Sequence, residues 1–162
     1  MHSIIYNRIM QQQKTSLSAS ANGLYLQTLN YSDIDTIRHE IMPFLELAAF
    51  KTNSGRFTAQ DILKSITAEK QQIWLARDIT TDSLAMVCLT EVRTYPQKKA
   101  LHISYVIGEN NQTWMWILAI IESWAKEVGC SMVEAEGREG WKPIVTPLGY
   151  KIEKVVYKKD IL

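Results

Sequence analysis

From Gly23 onward the apolar residues recur with two distinct periods. Leu24, Leu26 and Thr28 alternate with Tyr25, Gln27 and Leu29, a two-residue period that predicts a first strand. Ser32 then offers an N-cap to a helix beginning Asp33-Ile34-Asp35, with Ile34, Ile37 and Ile41 on one face. Pro43 breaks that helix or starts the next, and Phe44, Leu47 and Ala48 continue the apolar stripe. Asn53-Ser54-Gly55 reads as a turn. Thr58-Ala59-Gln60-Asp61 has the form of a capping box with Asp at its fourth position, opening a helix that carries Ile62, Leu63 and Ile66.

Three strands follow: Gln72 to Arg77, Leu84 to Thr94 after the Thr80-Thr81-Asp82-Ser83 turn, and Ala100 to Ile107 after Pro96-Gln97-Lys98-Lys99. The short connections predict an antiparallel meander. The clearest helical signal spans 113–128. There Trp114, Ile117, Leu118, Ile121, Trp124, Ala125 and Val128 recur at three- and four-residue steps, and Gly129 stands where a C-terminal cap belongs. Ser131 to Glu136 reads as a further strand, and Gly137 to Pro147 as an irregular helical turn bounded by Pro143 and Pro147. Tyr150 to Lys159, with Ile152, Lys154, Val156 and Lys158 at alternate positions, reads as a last strand. The order β-α-α-β-β-β-α-β-α-β is mixed α/β, without an internal repeat.

Residues 1–22 stand apart as a polar, aperiodic tail, and 23–162 form one domain, a length that suits a single core. An arm that orders on a partner is the functional alternative for the tail. Eighteen Lys and Arg against 17 Asp and Glu leave a net charge of +1, which gives no chain-wide attraction to nucleic acid or an anionic membrane. The apolar stretch Thr113–Ile121 is far shorter than a bilayer span. Cys88 and Cys130, without a CxxC pair or a nearby His, read as buried reduced thiols and supply no metal site. The expectation is a soluble protein in a cytosolic setting.

Three stretches carry a resemblance to a known family. They are Leu26-Gln27-Thr28-Leu29 with Ser32-Asp33-Ile34-Asp35, Trp124-Ala125-Lys126-Glu127-Val128-Gly129-Cys130, and Pro147-Leu148-Gly149-Tyr150. Together they resemble the first strand and helix, the central helix, and the Leu-Gly-aromatic step of the GNAT superfamily of N-acetyltransferases. The segment Glu136-Gly137-Arg138-Glu139-Gly140-Trp141, followed by Leu148-Gly149-Tyr150, further resembles GNAT-like proteins of phage and prophage genomes. The resemblance implies a mostly antiparallel sheet with helices on both faces, over about residues 23–161.

It also implies a place for the cofactor. In the family, Arg/Gln-x-x-Gly-x-Gly/Ala precedes the central helix, and its backbone N–H groups meet the pyrophosphate of coenzyme A. Counting back from Gly129 puts that pattern on Glu109, Asn110, Asn111, Gln112, Thr113 and Trp114. A carboxylate stands where a basic or neutral group is usual, and an indole where glycine admits close approach. The Tyr that in the family protonates the departing thiolate falls on Val145, and Tyr150 reads as packing. Glu91 and His102 are candidate bases, each weighed against an ordinary strand role.

Trp116 and Ile120 lie off the main stripe of the 113–128 helix, as core covering or as a subunit or partner surface. Arg138 and Trp141 flank the family's substrate cleft and are further partner-binding candidates. Lys151, Lys154, Lys158 and Lys159 read as solubilising residues on an edge strand. On these residues the expectation is a GNAT-like protein without cofactor or acetyltransferase chemistry, acting by contact with a protein partner, as a homo-oligomer or in virion assembly. The alternative is an acetyl-CoA-dependent N-acetyltransferase with a divergent turn.

Overall fold

The computed structural model describes residues 19–162 except 28, 53 and 54, with only the backbone of Thr52. Six strands form one sheet in chain order: β1 (Ser20–Ala21), β2 (Leu24–Gln27), β3 (Gln72–Asp78), β4 (Leu84–Thr94), β5 (Lys99–Gly108) and β6 (Met132–Ala135). Every neighbouring pair is antiparallel except β5 and β6, which run parallel. The chain crosses between those two by α3 (Asn111–Trp114) and α4 (Trp116–Glu127). The sheet therefore begins at Ser20, inside the segment expected to be tail. Residues 1–18, like Thr28 of the first expected strand and the Asn53-Ser54 turn, lie outside the described residues.

Helices cover both faces, as the strand pattern demands. A 3-10 helix (Tyr31–Ile37) runs into α1 (Arg38–Thr52), and α2 (Ala59–Thr67) packs beside it. Ile34, Ile41, Leu45, Ile62 and Ile66 of this layer meet Ile73, Leu75, Val87 and Leu89 of the sheet. On the opposite face Ile117, Ile121 and Trp124 of α4 meet Trp74, Cys88, Leu101 and Ile103. Trp74 and Trp124 pack edge to face there, with ring centroids 5.5 Å apart. Because β3 lies between both layers it is buried along nearly its whole length, which is why Gln72–Arg77 reads as an almost unbroken apolar run.

The polar residues in this frame are held by specific partners. Arg77, only 6% exposed, grips Glu40 of α1 with two hydrogen bonds of 2.6 and 3.1 Å and bonds Gln27 Oε1 at 2.6 Å. The capping box forms as its sequence implies: the Asp61 N–H donates to Thr58 Oγ1, and the Thr58 N–H donates to Asp61 Oδ2. Asp accordingly serves in place of Glu or Gln.

Several expected elements differ. Ser32 caps no helix, lying inside the 3-10 turn whose N-cap is Asn30, and Pro43 stands within α1 without ending it. The 113–128 helix starts two residues earlier and is interrupted at Met115, giving the short α3 and then α4. Tyr150–Lys159 is no strand: past the 3-10 turn Thr146–Leu148, residues 150–162 carry no regular structure and stand largely in solvent. Alternating β-branched and charged residues specify a strand only where an edge is there to pair with. Among the described residues no helix is long and apolar enough to cross a membrane.

Candidate functional site

Strands β5 and β6 pair along the whole of β6 but only over the first part of β5. Ala100, Leu101, His102 and Ile103 lie opposite Met132, Val133, Glu134 and Ala135, after which β5 runs on to Gly108 while β6 ends. The result is a notch at the C-terminal ends of two parallel strands, one wall of which is the edge of Ser104–Gly108. A bulge sits at its apex. Leu89 faces Tyr105 and Thr90 faces Ile103, so Ser104 is the additional residue. Leu101 and Ile103 point to the α4 side, whereas Tyr105 packs with the α1–α2 side. The bulge thus changes which residues face each layer at the point where the strands part.

One step before the bulge, three registered residues form a row across three strands: Glu91 on β4, His102 on β5 and Glu134 on β6. Side chains that stand opposite one another in register share a face. Glu134 is the centre of this group. Its Oε1 accepts from the Tyr95 hydroxyl at 2.7 Å and lies 3.6 Å from Arg93 Nη1 and 3.4 Å from His102 Nδ1. Arg93 Nε also bonds Glu91 Oε2 at 3.3 Å. The His102–Glu134 approach is an ion-pair distance rather than a hydrogen bond, and His102 Nδ1 is buried without a hydrogen-bond partner among the described residues. Burial first, and the Arg93 guanidinium second, push the His102 pKa below its ordinary value, leaving a neutral imidazole at neutral pH. The two candidate bases, Glu91 and His102, are therefore brought together; Glu134, Arg93 and Tyr95 were missed. Strand register alone joins Glu134 to them, and a crossover of unknown register hid it.

The turn from β5 into α3 alters one expectation. Asn110 takes a left-handed conformation (φ 50°, ψ 68°) and the chain turns helical immediately after it. A left-handed residue followed by right-handed ones brings successive N–H groups into a concave array of the kind that binds anions. Asn tolerates this region better than most residues, so the turn forms without glycine, and within it the Thr113 N–H donates to the Asn110 carbonyl at 2.9 Å. The steric objection to Trp114 is also overturned. Its indole is 1% exposed, folded beneath the turn with Nε1 donating to the Glu109 carbonyl at 3.0 Å, and it does not stand on the outer surface. Gly108 makes room for it: a Cβ there would lie 3.0 Å from the indole nitrogen and 3.0 Å from the Ala85 carbonyl oxygen. Glu109, Asn110 and Gln112 are exposed, Asn111 and Thr113 half-buried. Glu109 keeps its carboxylate in solvent at the start of the turn.

Beside the notch, Trp141 packs on Trp114 with ring centroids 6.1 Å apart and is half-buried, while Arg138 is exposed. Trp116 and Ile120 are half-buried against the α4-side core, and Trp116 Nε1 donates to the Thr113 carbonyl at 2.8 Å. Tyr150 has a more specific contact than packing: its hydroxyl donates to Glu122 Oε1 at 2.7 Å. Burial, followed by that carboxylate, pushes its pKa far above the ordinary phenol range, so it remains protonated. Val145, half-buried in α5 (Lys142–Val145), has no acid to offer. Cys88 is buried as expected, whereas Cys130, in the connection ahead of β6, is only half-buried. Among the described residues no cluster of His, Cys, Asp and Glu could hold a metal ion.

No family model and no curated protein matches this sequence. Solved structures do. Glucosamine-6-phosphate N-acetyltransferase from Arabidopsis thaliana superposes with a TM-score of 0.62 at 17% identity, over 85% of this chain and 97% of that one. An acetyltransferase from Trypanosoma brucei gives 0.57 at 17%, over 85% and 99%. An aminoglycoside acetyltransferase from an uncultured soil metagenomic sample, in complex with sisomicin, gives 0.57 at 14%, over 87% and 97%. The chain has a GNAT-like fold. These likenesses carry the fold, and they do not extend the phage-type resemblance of Glu136–Trp141.

Proposed function

We propose that on this GNAT-like scaffold the chain is an N-acyltransferase, moving an acyl group from a coenzyme A thioester to an amine in the notch between β5 and β6. The observation that carries the reading is the notch itself. An open strand edge, Ser104–Gly108, ends in an anion-type turn at Asn110 and starts beside a row of carboxylates. The pantetheine arm of coenzyme A carries two amides, which can hydrogen-bond an unpaired strand edge as another strand would. Its diphosphate would meet the turn at 109–113, where the backbone array supports it and Glu109 opposes it. The turn therefore fits the donor in shape and weakens it in charge. Donor affinity below that of a turn with a basic first residue is the expectation.

The acceptor side follows from charge. Glu91, Glu134 and the exposed Glu136 surround the apex, an environment that draws an ammonium group and can take its proton. In the transfer the ammonium first gives one proton to a carboxylate; the freed amine nitrogen bonds to the thioester carbonyl carbon, the carbon–sulfur bond breaks, and the second proton leaving nitrogen passes by way of water to the thiolate. Glu134 is the carboxylate best placed for the first proton, being oriented by Tyr95 and Arg93. The alternative of a non-catalytic scaffold rests on Glu109 and Val145.

Titration calorimetry with acetyl-CoA and coenzyme A, alongside thiol release over a panel of primary amines that includes aminosugars, tests the proposal. Saturable binding and amine-dependent thiol release are expected, with kcat reduced in Glu134→Gln at unchanged donor affinity. The absence of binding at millimolar ligand would overturn it and leave the scaffold reading.

A further inference from the structure

On the basis of the N-acyltransferase reading, we infer that Gln71 and Ser104 bind a hydroxyl of the acceptor, whose class is then an amino alcohol with the hydroxyl close to the reacting amine. Gln71 Oε1 is buried and has no hydrogen-bond partner among the described residues, while Nε2 of the same carboxamide donates to Ser104 Oγ at 3.3 Å. A buried carbonyl oxygen in this state carries a desolvation cost that a donor from a ligand removes. A second such atom, His102 Nδ1, belongs to the residue two positions before Ser104 on β5.

Strand alternation brings these groups to one face. Trp74 and Ala76 of β3 point to the α4 side, Ile73 and Leu75 to the α1–α2 side, and Gln71 continues the second series. On β5, His102 and Ser104 alternate with Leu101 and Ile103, which are α4-side residues, so both face the α1–α2 side. Glu134 shares that face, standing opposite His102 in register. The bulge admits Ser104 there without moving Tyr105 out of the same layer. Ser104 is also the first residue of β5 past its pairing with β6, which sets it at the apex of the notch, where amine and thioester would meet.

Gln71 is anchored on the connection from α2 to β3, where the Tyr31 hydroxyl donates to its backbone carbonyl at 3.0 Å. The face therefore divides its ligand by charge. The carboxylates of Glu91 and Glu134 draw the ammonium group, and the uncharged Gln71–Ser104 pair takes a neutral one. A hydroxyl suits that pair because it both donates and accepts. It gives its proton to Gln71 Oε1 and receives one from the Ser104 hydroxyl, closing a ring of three polar groups. An ether, a ketone or an alkyl chain has no proton for the carboxamide oxygen. An amine without the hydroxyl leaves both groups unpaired, the kind of loss by which a polar site rejects an analogue.

Thiol release from acetyl-CoA tests this with amines paired by one hydroxyl: ethanolamine against ethylamine, and the vicinal aminocyclohexanol against cyclohexylamine. The quantity read is the ratio of kcat/KM for the hydroxylated member to that for its partner. Gln71→Leu and Ser104→Ala are each expected to lower the ratio by about tenfold, by slowing the hydroxylated member alone. The alanine variant, which removes one buried-edge oxygen, decides the matter should the leucine variant fail to fold. A ratio that the folded variants leave unchanged, because amine basicity sets it or because both members slow alike, overturns the proposal while thiol release keeps the transferase reading in place. No amine-dependent thiol release across the wider panel overturns the transferase reading, and this proposal with it.

Discussion

The Trp114 indole donates its N–H to the Glu109 carbonyl oxygen at 3.0 Å, closing the β5–α3 turn from beneath with a ring that is itself core. The turn's outer shape is thus set by a residue that never reaches its outer surface. Trp114→Phe retains most of the buried area and removes that bond, and a cost of about 1 kcal/mol is expected. Trp114→Ala also leaves a cavity under Gly108 and is expected to cost about 3–5 kcal/mol. Urea denaturation of both variants measures the difference.

Glu109 is exposed beside the proposed diphosphate position, and its removal acts in one direction only. Glu109→Gln is expected to tighten coenzyme A binding by about twofold to fivefold, the effect of an exposed like charge worth roughly 0.4–1 kcal/mol, and less at high salt. Calorimetry at two salt concentrations checks it. Weaker binding by the variant would count against this placement of the donor.

His102 sets a pH dependence of stability. Its folded-state pKa lies below its ordinary value, so the unfolded chain takes up a proton first as pH falls. Stability attributable to His102 is therefore full above about pH 6.5 and declines below it, with a slope of at most about 1.4 kcal/mol per pH unit, until the lower native pKa is passed. His102→Gln is expected to flatten the decline between pH 7 and pH 5.5 in chemical denaturation. An unchanged pH profile would show that the imidazole is not held neutral.

Thr58 caps α2 through its hydroxyl, and the reciprocal bond from its own N–H to Asp61 keeps the carboxyl of Asp61 below its usual pKa. Thr58→Ala is expected to lose about 1 kcal/mol. Thermal melts of Thr58→Ala and Thr58→Ser separate the cap from the methyl group, the serine variant retaining most of the stability.

The elements legible in the sequence were those whose periodicity answers to a single buried face. Ile62, Leu63 and Ile66 of α2 and Ile117, Ile121 and Trp124 of α4 lie where their spacing put them. The left-handed Asn110 and the burial of Trp114 were hidden because a side chain's direction depends on the turn beneath it, and residue identity alone suggested an obstructing ring. Glu134 escaped notice because a crossover of some thirty residues separates it from the His102 it faces. The C-terminal segment has a strand's pattern and no strand's partner, a distinction that lies outside the local sequence.

The additional residue at Ser104 has a consequence for how the molecule comes apart. Ahead of it, β5 sends Leu101 and Ile103 into one hydrophobic cluster; beyond it, Tyr105 and Ile107 pack with the other. A single strand is therefore rooted in both halves of the interior, and neither half can melt while its neighbour stays intact. Shortening the chain by that one serine would leave Thr90 opposite Ile103 and Leu89 opposite Tyr105 in an unbroken ladder, so Tyr105 and Ile107 should keep their layer and only the local bend of β5 be lost.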